Sequence, residues 1–254
     1  MDVNKNSFTF GFAIIMVIIV AALLSVAYIQ LKPLQDINTE LEKKQNILSS
    51  VGIIVDRLDA EAAYSTYIKS EIVLNNQGKQ VDGIAFDIDL KKELKKDLET
   101  QLLPLFISEV DTIKRYIIPL RGKGLWGSIW GFISLEDNLN TVFGAVFDHE
   151  KETPGLGAEI NTSMFQQPFQ GKTIFEDDIF TSISVIKGGA EKGEMHAVDG
   201  ISGGTITSDG VTEMLAERLK MYLPYIIKMK TTIEIDQIMS QMDSVKTIND
   251  SIIP

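Results

Sequence analysis

A long apolar run near the amino terminus constrains this chain more than any other feature. Residues 8–29 read FTFGFAIIMVIIVAALLSVAYI and contain no charged side chain. A helix of this length spans the roughly 30 Å hydrocarbon core of a bilayer. We therefore predict a short segment at residues 1–7, one transmembrane helix at residues 8–29, and a soluble part that follows it.

The sequence leaves two questions about this helix open. A cleaved signal peptide is an alternative, because Ser25 and Ala27 are small residues at the spacing that a signal peptidase accepts. The run is longer than the usual apolar core of a signal peptide, which favours a permanent anchor. Lys5 precedes the run and Lys32 follows it, so charge alone does not decide the orientation across a membrane.

The composition excludes several classes of partner and site. A net charge of −11 and a pI of about 4.7 argue against binding to nucleic acid, which requires clustered Lys and Arg. The chain has no cysteine, so disulfides, cysteine-ligated metals and thiol nucleophiles are excluded. The two histidines, His149 and His196, stand far apart, and we expect no metal site. The partners are then proteins, small molecules or lipid.

The spacing of apolar residues predicts an α+β fold, with a mainly antiparallel sheet flanked by helices. Helical spacing at residues 37–55 and 58–70 predicts a helical stalk and first layer within residues 30–104. A strand at residues 84–90 and a charged helix at residues 91–103, ended by Pro104, complete this part. Short β-branched and aromatic runs then predict strands, at residues 105–110, 114–120, 128–135, 141–148 and 179–186.

A last helix follows Gly210. Val211, Met214, Leu215, Leu219 and Tyr222 form one apolar stripe at helical spacing, which we expect to end at Pro224. We assign residues 105–230 to one domain and residues 231–254 to a polar carboxyl-terminal tail.

A glycine-rich stretch just before this helix carries the chemistry. Residues 199–210 read DGISGGTITSDG, and the start of a helix offers unpaired N–H groups and a dipole that favour an anion. Gly203 and Gly204 allow the backbone to approach a ligand closely, and Thr205 and Thr207 offer hydroxyls. We predict that Ser208 or Asp209 caps the helix. The alternative is an ordinary capped turn without a ligand.

The sequence of this stretch, DGISGGT at residues 199–205, resembles the flavinylation motif of the FMN-binding domain family. In that motif an Asp, two variable residues, Ser or Thr, Gly, Ala and a final Thr or Ser follow one another. The resemblance implies that FMN is esterified through its phosphate to Thr205, by a separate flavin transferase that uses FAD and magnesium. It also implies that the transferase recognises Asp199, and that Ser202, Gly203, Gly204 and Thr207 lie near the cofactor. Gly204 stands where the family usually has alanine.

A second segment, HEKETPGLGAEI at residues 149–160, resembles the loop of this family that packs near the flavin. Read from its residues, it is a tight turn, because Pro154 fixes one dihedral angle and glycines follow it. The resemblance places Glu152, Thr153, Leu156 and Gly157 at the cofactor. Trp126, in the run RGKGLWG, has a flat aromatic face suited to stacking on an isoalloxazine ring.

Within the family, residues 122–160 resemble most the C subunits of sodium-translocating NADH:quinone oxidoreductases. This resemblance implies a membrane-anchored electron carrier without catalytic residues of its own, joined to the other subunits of the complex and to membrane lipid. It further implies the bacterial cytoplasmic membrane, with the flavin domain on its outer face. The alternatives are the G subunit of the Rnf complex, a reductase domain, and an anchored scaffold that lacks a cofactor.

Overall fold

The computed structural model describes residues 6–110 and 112–250, and it begins with one long helix, α1 (Asn6–Ser50). One 18-residue window of α1 has a mean hydropathy of 2.9, and among the described residues α1 is the one helix long and apolar enough to cross a membrane. The predicted apolar helix is therefore confirmed as a helix. The chain divides into two compact units, Met1–Lys44 and Gln45–Pro254.

The second unit is built on a six-stranded sheet in the order β2-β1-β3-β4-β5-β6. Every neighbouring pair is antiparallel, as the sequence predicted for the sheet as a whole. Four predicted runs correspond to β3 to β6. The six strands are β1 (Ile68–Leu74), β2 (Gln80–Val81), β3 (Leu103–Val110), β4 (Ile113–Lys123), β5 (Ser128–Leu135) and β6 (Val142–His149).

The remaining elements are short and surround the sheet. Two small strand pairs lie outside it, the antiparallel β7 (Phe175–Glu176) and β8 (Ile179–Phe180), and the parallel β9 (Ser184–Ile186) and β10 (Ala197–Asp199). The short helices are α2 (Ala60–Tyr67), α3 (Leu90–Glu93) and α4 (Ser163–Gln166), with 3₁₀ turns at Ala85–Asp87, Leu98–Thr100, Gly157–Asn161 and Gln167–Phe169.

One face of the sheet packs against the last helix, α5 (Thr205–Asp250). The predicted apolar stripe is confirmed, because Val211, Met214, Leu215, Leu219 and Tyr222 are all buried in the main core. The hydroxyl of Tyr222 donates a hydrogen bond of 2.7 Å to the carbonyl of Pro104 at the start of β3. The helix is thereby joined to the sheet by a polar contact as well as by apolar packing.

The other face of the sheet carries a second, smaller core. Ile47, Leu48 and Val51, at and just after the end of α1, pack there with Phe106 of β3 and Ile117 of β4. The hydroxyl of Ser134 also donates a hydrogen bond to the carbonyl of Ser50. The sheet is therefore covered on both faces by helical residues, which gives the α+β layers that the sequence predicted.

Several local predictions were wrong. The helix expected at residues 58–70 ends at Tyr67, and β1 begins at Ile68. Residues 84–90 contain a 3₁₀ turn instead of a strand. Residues 91–103 form only the end of α3, one 3₁₀ turn and the first residue of β3, because their charges leave no apolar stripe to bury. Pro104 lies inside β3 instead of ending a helix. The single strand expected at 179–186 is divided into β8 and β9, because Ser182 has a left-handed φ of 64°.

The last helix also differs from the prediction at both ends. It begins at Thr205, five residues before Gly210, and it continues through Pro224. Proline removes one N–H group from a helix, but Pro224 is exposed, so the carbonyl that loses its partner can bind water.

Candidate functional site

The candidate site lies at the amino-terminal end of α5. Ser208 makes the first internal helical bond, from its N–H to the carbonyl of Gly204, at 2.9 Å. The N–H groups of Thr205, Ile206 and Thr207 precede this bond and have no acceptor within the helix. N–H groups without helical acceptors at the positive end of a 46-residue helix can bind an anion, and this is the position that the sequence predicts for a phosphate.

The predicted helix cap was wrong. Ser208 lies inside the first turns of α5, and its Oγ accepts a hydrogen bond of 3.2 Å from the N–H of Ile201. Asp209 is exposed one residue further along. Gly204 takes the capping position instead, because glycine allows the chain to enter the helix without a side chain of its own.

The two threonines of the first turn differ sharply. The hydroxyl of Thr207 is buried and donates a hydrogen bond of 2.6 Å to Oε2 of Glu152. Thr205 is half-buried, and no side-chain hydrogen bond holds its hydroxyl within the part of the chain that the structure describes. Of these two hydroxyls, only that of Thr205 remains available for a reaction.

Glu152 joins three segments of the chain. Its carboxylate is 5% exposed, and Oε1 accepts a hydrogen bond of 2.8 Å from the N–H of Trp126, while Oε2 accepts from Thr207. The N–H of Glu152 itself donates to Nδ1 of His149, at 3.3 Å. The loop after β4, the loop after β6 and the first turn of α5 therefore meet at one carboxylate.

Two glycines make room for this carboxylate. A Cβ at Gly157 would lie 2.3 Å from Oγ1 of Thr207 and 2.5 Å from Oε2 of Glu152, and a Cβ at Gly124 would lie 2.6 Å from Oε1. These distances are far below a normal contact, so any side chain at either position would displace the carboxylate. We call Glu152, Thr207, Trp126, Gly124 and Gly157 the Glu152 cluster.

The loop at 152–157 lies directly against the DGISGGT stretch. Gly203 has a left-handed φ of 75°, and a Cβ there would lie 2.6 Å from Cδ2 of Leu156. A Cβ at Gly204 would lie 3.0 Å from Cγ2 of Ile201 and 3.3 Å from the backbone nitrogen of Gly157. Alanine at 204 therefore requires only a shift of a few tenths of an ångström.

Glu152 is held in its charged form. Burial by itself raises the pKa of Glu152, but hydrogen bonds from the hydroxyl of Thr207 and from the backbone amides of Trp126, Gly127 and Leu125 outweigh it. The pKa therefore lies below the ordinary value of a glutamate. Among the described residues no lysine, arginine or histidine forms an ion pair with Glu152, so backbone and hydroxyl dipoles alone balance its charge.

This lowered pKa predicts a pH dependence of stability. A carboxyl group whose pKa is lower in the folded state stabilises the fold above its unfolded pKa of about 4.3, and this contribution is lost as pH falls through the folded value. We expect the wild-type chain in detergent to have a higher melting temperature than Glu152→Gln at pH 7, and the difference to shrink below about pH 4.

Thermal unfolding followed by circular dichroism between pH 3 and pH 8 measures this difference. Glu150→Gln is the control, because Glu150 is exposed and its ion pair with Lys151, at 3.5 Å, is screened by solvent. A gap for Glu152→Gln that stays constant over the whole range would contradict the prediction.

Several large apolar side chains are exposed on the segments that meet at the site. Trp126 is 64% exposed, and its neighbour Leu125, Leu156 of the ETPGLG loop and Ile206 of α5 are exposed as well. Exposed apolar side chains beside the amino-terminal end of a helix provide a surface on which a flat aromatic group can pack.

The other predicted residues occupy more ordinary positions. Oδ1 of Asp199 accepts a hydrogen bond of 2.7 Å from the N–H of Ala190, so its side chain closes the turn before β10. The carbonyl of Thr153 accepts bonds from the N–H groups of Leu156 and Ala158, which shapes the ETPGLG turn. Ser202 is exposed in the turn before α5.

Sequence reasoning missed Gly124, Leu125, His149 and Ile206 as parts of the site. Gly124 and Leu125 belong to the run RGKGLWG, where the close spacing of glycines was a usable signal. His149 and Ile206 carried no such signal, because their positions follow from contacts with distant segments.

Comparison with known proteins agrees with this geometry. A family model described as the FMN-binding domain matches residues 124–220, which include the Glu152 cluster and Thr205. The C subunit of the Na(+)-translocating NADH-quinone reductase of Vibrio alginolyticus is 30% identical over 83% of this chain and 90% of its own length. Its counterpart in Vibrio anguillarum is 31% identical over 76% of this chain and 82% of its own length.

Two solved structures are similar to this chain. The crystal structure of the C subunit from Parabacteroides distasonis has a TM-score of 0.73 and 42% identity, and the match covers 77% of this chain and 96% of that one. The structure from Shewanella oneidensis, at 23% identity, has a TM-score of 0.67, covers 76% of this chain and 99% of that one, and shares the fold. With its FMN-binding domain, its antiparallel sheet and its apolar amino-terminal helix, the chain belongs to the family of C subunits of Na(+)-translocating NADH-quinone reductases.

Proposed function

We propose that this chain is a membrane-anchored electron-transfer subunit that carries FMN joined covalently, through its phosphate, to Thr205. It works within a complex that oxidises NADH, reduces quinone and translocates sodium. The names of the relatives support the complex, and the FMN-binding domain supports the cofactor. The chain performs no reaction on a diffusing substrate, and it has no catalytic residue in this reading.

One observation carries the assignment of Thr205. Its hydroxyl opens α5 beside three N–H groups without helical acceptors, while the hydroxyl of Thr207 is bonded to Glu152. A phosphate ester at Thr205 keeps one negative charge at the positive end of the helix, where the dipole stabilises it. These are the features that a phosphate attached to a threonine needs.

The attachment is a transfer of a phosphoryl group from FAD. The Thr205 oxygen forms a bond to the phosphorus that carries the riboflavin, and the pyrophosphate bond of FAD breaks, so AMP leaves. The hydroxyl proton passes to a base of the flavin transferase or to water. Nothing is oxidised or reduced in this step, and the chain supplies only the acceptor oxygen and its position.

Bound FMN supplies one-electron and two-electron redox chemistry in its isoalloxazine ring, which a phosphate ester leaves unaltered. The surrounding residues orient the group. We assign the phosphate to the N–H groups of the first turn of α5 and to the turn at Ser202, Gly203 and Gly204. The exposed Trp126 and Leu156, with Thr153 and Gly157 in the adjoining loop, are then the neighbours of the ring.

The membrane anchor and the covalent bond serve the same purpose. Each replaces diffusion of a carrier with a high local concentration beside its partners. Those partners are the other subunits of the complex, membrane lipid around α1, and the flavin transferase during maturation. We place the chain in the bacterial cytoplasmic membrane, with the flavin domain on its outer face.

Fluorescence in a denaturing gel tests the covalent bond directly. The chain is co-expressed with a flavin transferase, and the gel is examined under ultraviolet light before staining. We expect a fluorescent band and a mass increase equal to FMN less one water. A dark band without added mass would contradict the proposal and favour an anchored scaffold that lacks the cofactor.

The G subunit of the Rnf complex shares the motif and the anchor, and the same gel does not separate the two functions. Copurification does separate them, because we expect the other subunits of a NADH-quinone reductase to copurify with this chain. The relatives described above favour the reductase.

A further inference from the structure

We infer that Glu152 is a positioning residue: its charged side chain, through Thr207, holds the first turn of α5 so that Thr205 faces outwards as the flavin acceptor. The inference rests on the proposed function, because it concerns how the acceptor is presented. It changes the role of Glu152, which the sequence placed at the cofactor. In this view Glu152 touches neither the flavin nor the reacting atoms.

Thr205 and Thr207 lie two positions apart in the first turn of α5. An α-helix has 3.6 residues per turn, so their side chains are rotated by about 200° about the helix axis and point in nearly opposite directions. The hydroxyl of Thr207 is fixed inwards by its 2.6 Å bond to Glu152. Holding Thr207 inwards therefore turns Thr205 towards the outside of the first turn.

The carboxylate of Glu152 is buried and bonded on both of its oxygens. Glu152 is 5% exposed, and its two carboxylate oxygens accept hydrogen bonds from the N–H of Trp126 and from the hydroxyl of Thr207, which helps to keep it charged. A hydrogen bond to a charged group is stronger than one between neutral groups. The same carboxylate thus fixes the loop at 124–127 and the start of α5 relative to each other.

Gly124 and Gly157 make room for this carboxylate. They lie on different loops, and each leaves a space that the carboxylate and the Thr207 hydroxyl occupy, at 2.6 Å and 2.3 Å from the missing Cβ positions. Two separate loops therefore accommodate one buried charge at the first turn of α5. A glutamate with a merely local role would not require this arrangement.

Loss of the charge should weaken both contacts of Glu152. In Glu152→Gln one carboxylate oxygen becomes an NH₂ group, which donates, so one acceptor oxygen is left for the N–H of Trp126 and the hydroxyl of Thr207. With that oxygen on Trp126, Thr207 must accept from the NH₂ group, and both bonds then join neutral groups, which bind more weakly. The N–H of Trp126 and the amides of α5 from Ser208 onwards should then open more often. We expect their hydrogen exchange to become roughly ten- to a hundred-fold faster, as the loss of a charged hydrogen bond implies.

The first measurement is hydrogen exchange on the full chain in detergent, expressed without a flavin transferase. Glu152→Gln and Thr207→Val should accelerate exchange at the N–H of Trp126 and at Ser208 and the amides that follow it, the first protected positions of α5. The core amides of α5 near Leu215 and Leu219 should stay protected, which shows that the domain is folded. Glu150→Gln, which removes an exposed charge two residues away, should change neither region.

The second measurement is the rate of flavin attachment with purified flavin transferase, FAD and Mg²⁺. A positioning role predicts that kcat falls about ten-fold in Glu152→Gln, while the KM for the chain changes less than two-fold. Thr207→Val should act in the same direction. Thr207→Ser, which keeps a hydroxyl, should retain more of the rate than Thr207→Val, and Glu150→Gln should behave as wild type.

The outcomes separate the two proposals. If wild type accepts FMN and Glu152→Gln matches Glu150→Gln in both kcat and exchange, the positioning role is wrong. If the wild-type chain accepts no FMN at all, the proposed function is wrong, and so is any role of Glu152 in presenting an acceptor, whatever the exchange data show about packing. A higher KM with an unchanged kcat would also overturn the inference, because it indicates recognition by the transferase.

Discussion

Replacing Thr205 with alanine is expected to abolish the covalent flavin. The substitution removes the one hydroxyl of the first turn of α5 that is free to react, because Thr207 is buried and bonded to Glu152. In co-expression with a flavin transferase, the Thr205→Ala chain should give a dark band in the ultraviolet gel and an unmodified mass. The loss should be complete, since no partial contact can replace the acceptor oxygen.

Thr231→Ala is the matched control. Thr231 is an exposed threonine of the same helix, 26 residues after Thr205, and its hydroxyl bonds only to the carbonyl of Ile227, one turn back, among the described residues. We expect Thr231→Ala to keep a fluorescent band, and peptide mapping to place the flavin on Thr205. A fluorescent Thr205→Ala chain with the flavin on another residue would contradict the assignment.

Replacing Gly210 with alanine is expected to destabilise the domain strongly, although it exchanges a poor helix former for the best one. Alanine gains about 1 kcal/mol over glycine inside a helix. A Cβ at Gly210, however, would lie 2.3 Å from the carbonyl oxygen of Lys123, a backbone atom at the end of β4 that cannot rotate away. Overpacking typically costs about 1–3 kcal/mol, and a contact with backbone places this case at the upper end of that range.

The difference is a net loss of about 2 kcal/mol, which lowers the melting temperature by roughly 4–8 °C in a protein of this size. Thermal unfolding by circular dichroism measures it in detergent. Glu213→Ala, at an exposed position of the same helix, is the control and should change the stability by less than about 0.5 kcal/mol. A Gly210→Ala chain as stable as this control would mean that α5 and β4 separate at little cost.

The sequence predicted an element correctly where a short stretch of chain determines it. The run SIWGFISL is rich in β-branched and aromatic residues, and it forms β5 (Ser128–Leu135) with the predicted bounds. The stripe from Val211 to Tyr222 was equally clear, since one helix face packs on one sheet face. In both cases a short stretch of chain contains the whole pattern.

The errors arose where contacts between distant segments decide the structure. At 179–186 the alternation is regular, but Ser182 takes a left-handed conformation and divides the run. At the site, the motifs predicted that Glu152 and Thr207 both lie near the cofactor, but they did not predict that the two bond to each other. The residues are 55 positions apart, and they meet because α5 packs against the sheet that contains β6.

The end of α1 has a practical consequence for dividing this protein. A soluble fragment must lose the apolar run at residues 8–29 but keep the end of α1, because Ile47, Leu48 and Val51 form part of the smaller core. Each buried side chain of this kind contributes about 1.5–3 kcal/mol. A fragment that starts after residue 51 would uncover Phe106, Ile117 and Phe132, and would be prone to aggregate, whereas one that starts at Gln45 keeps the complete folding unit.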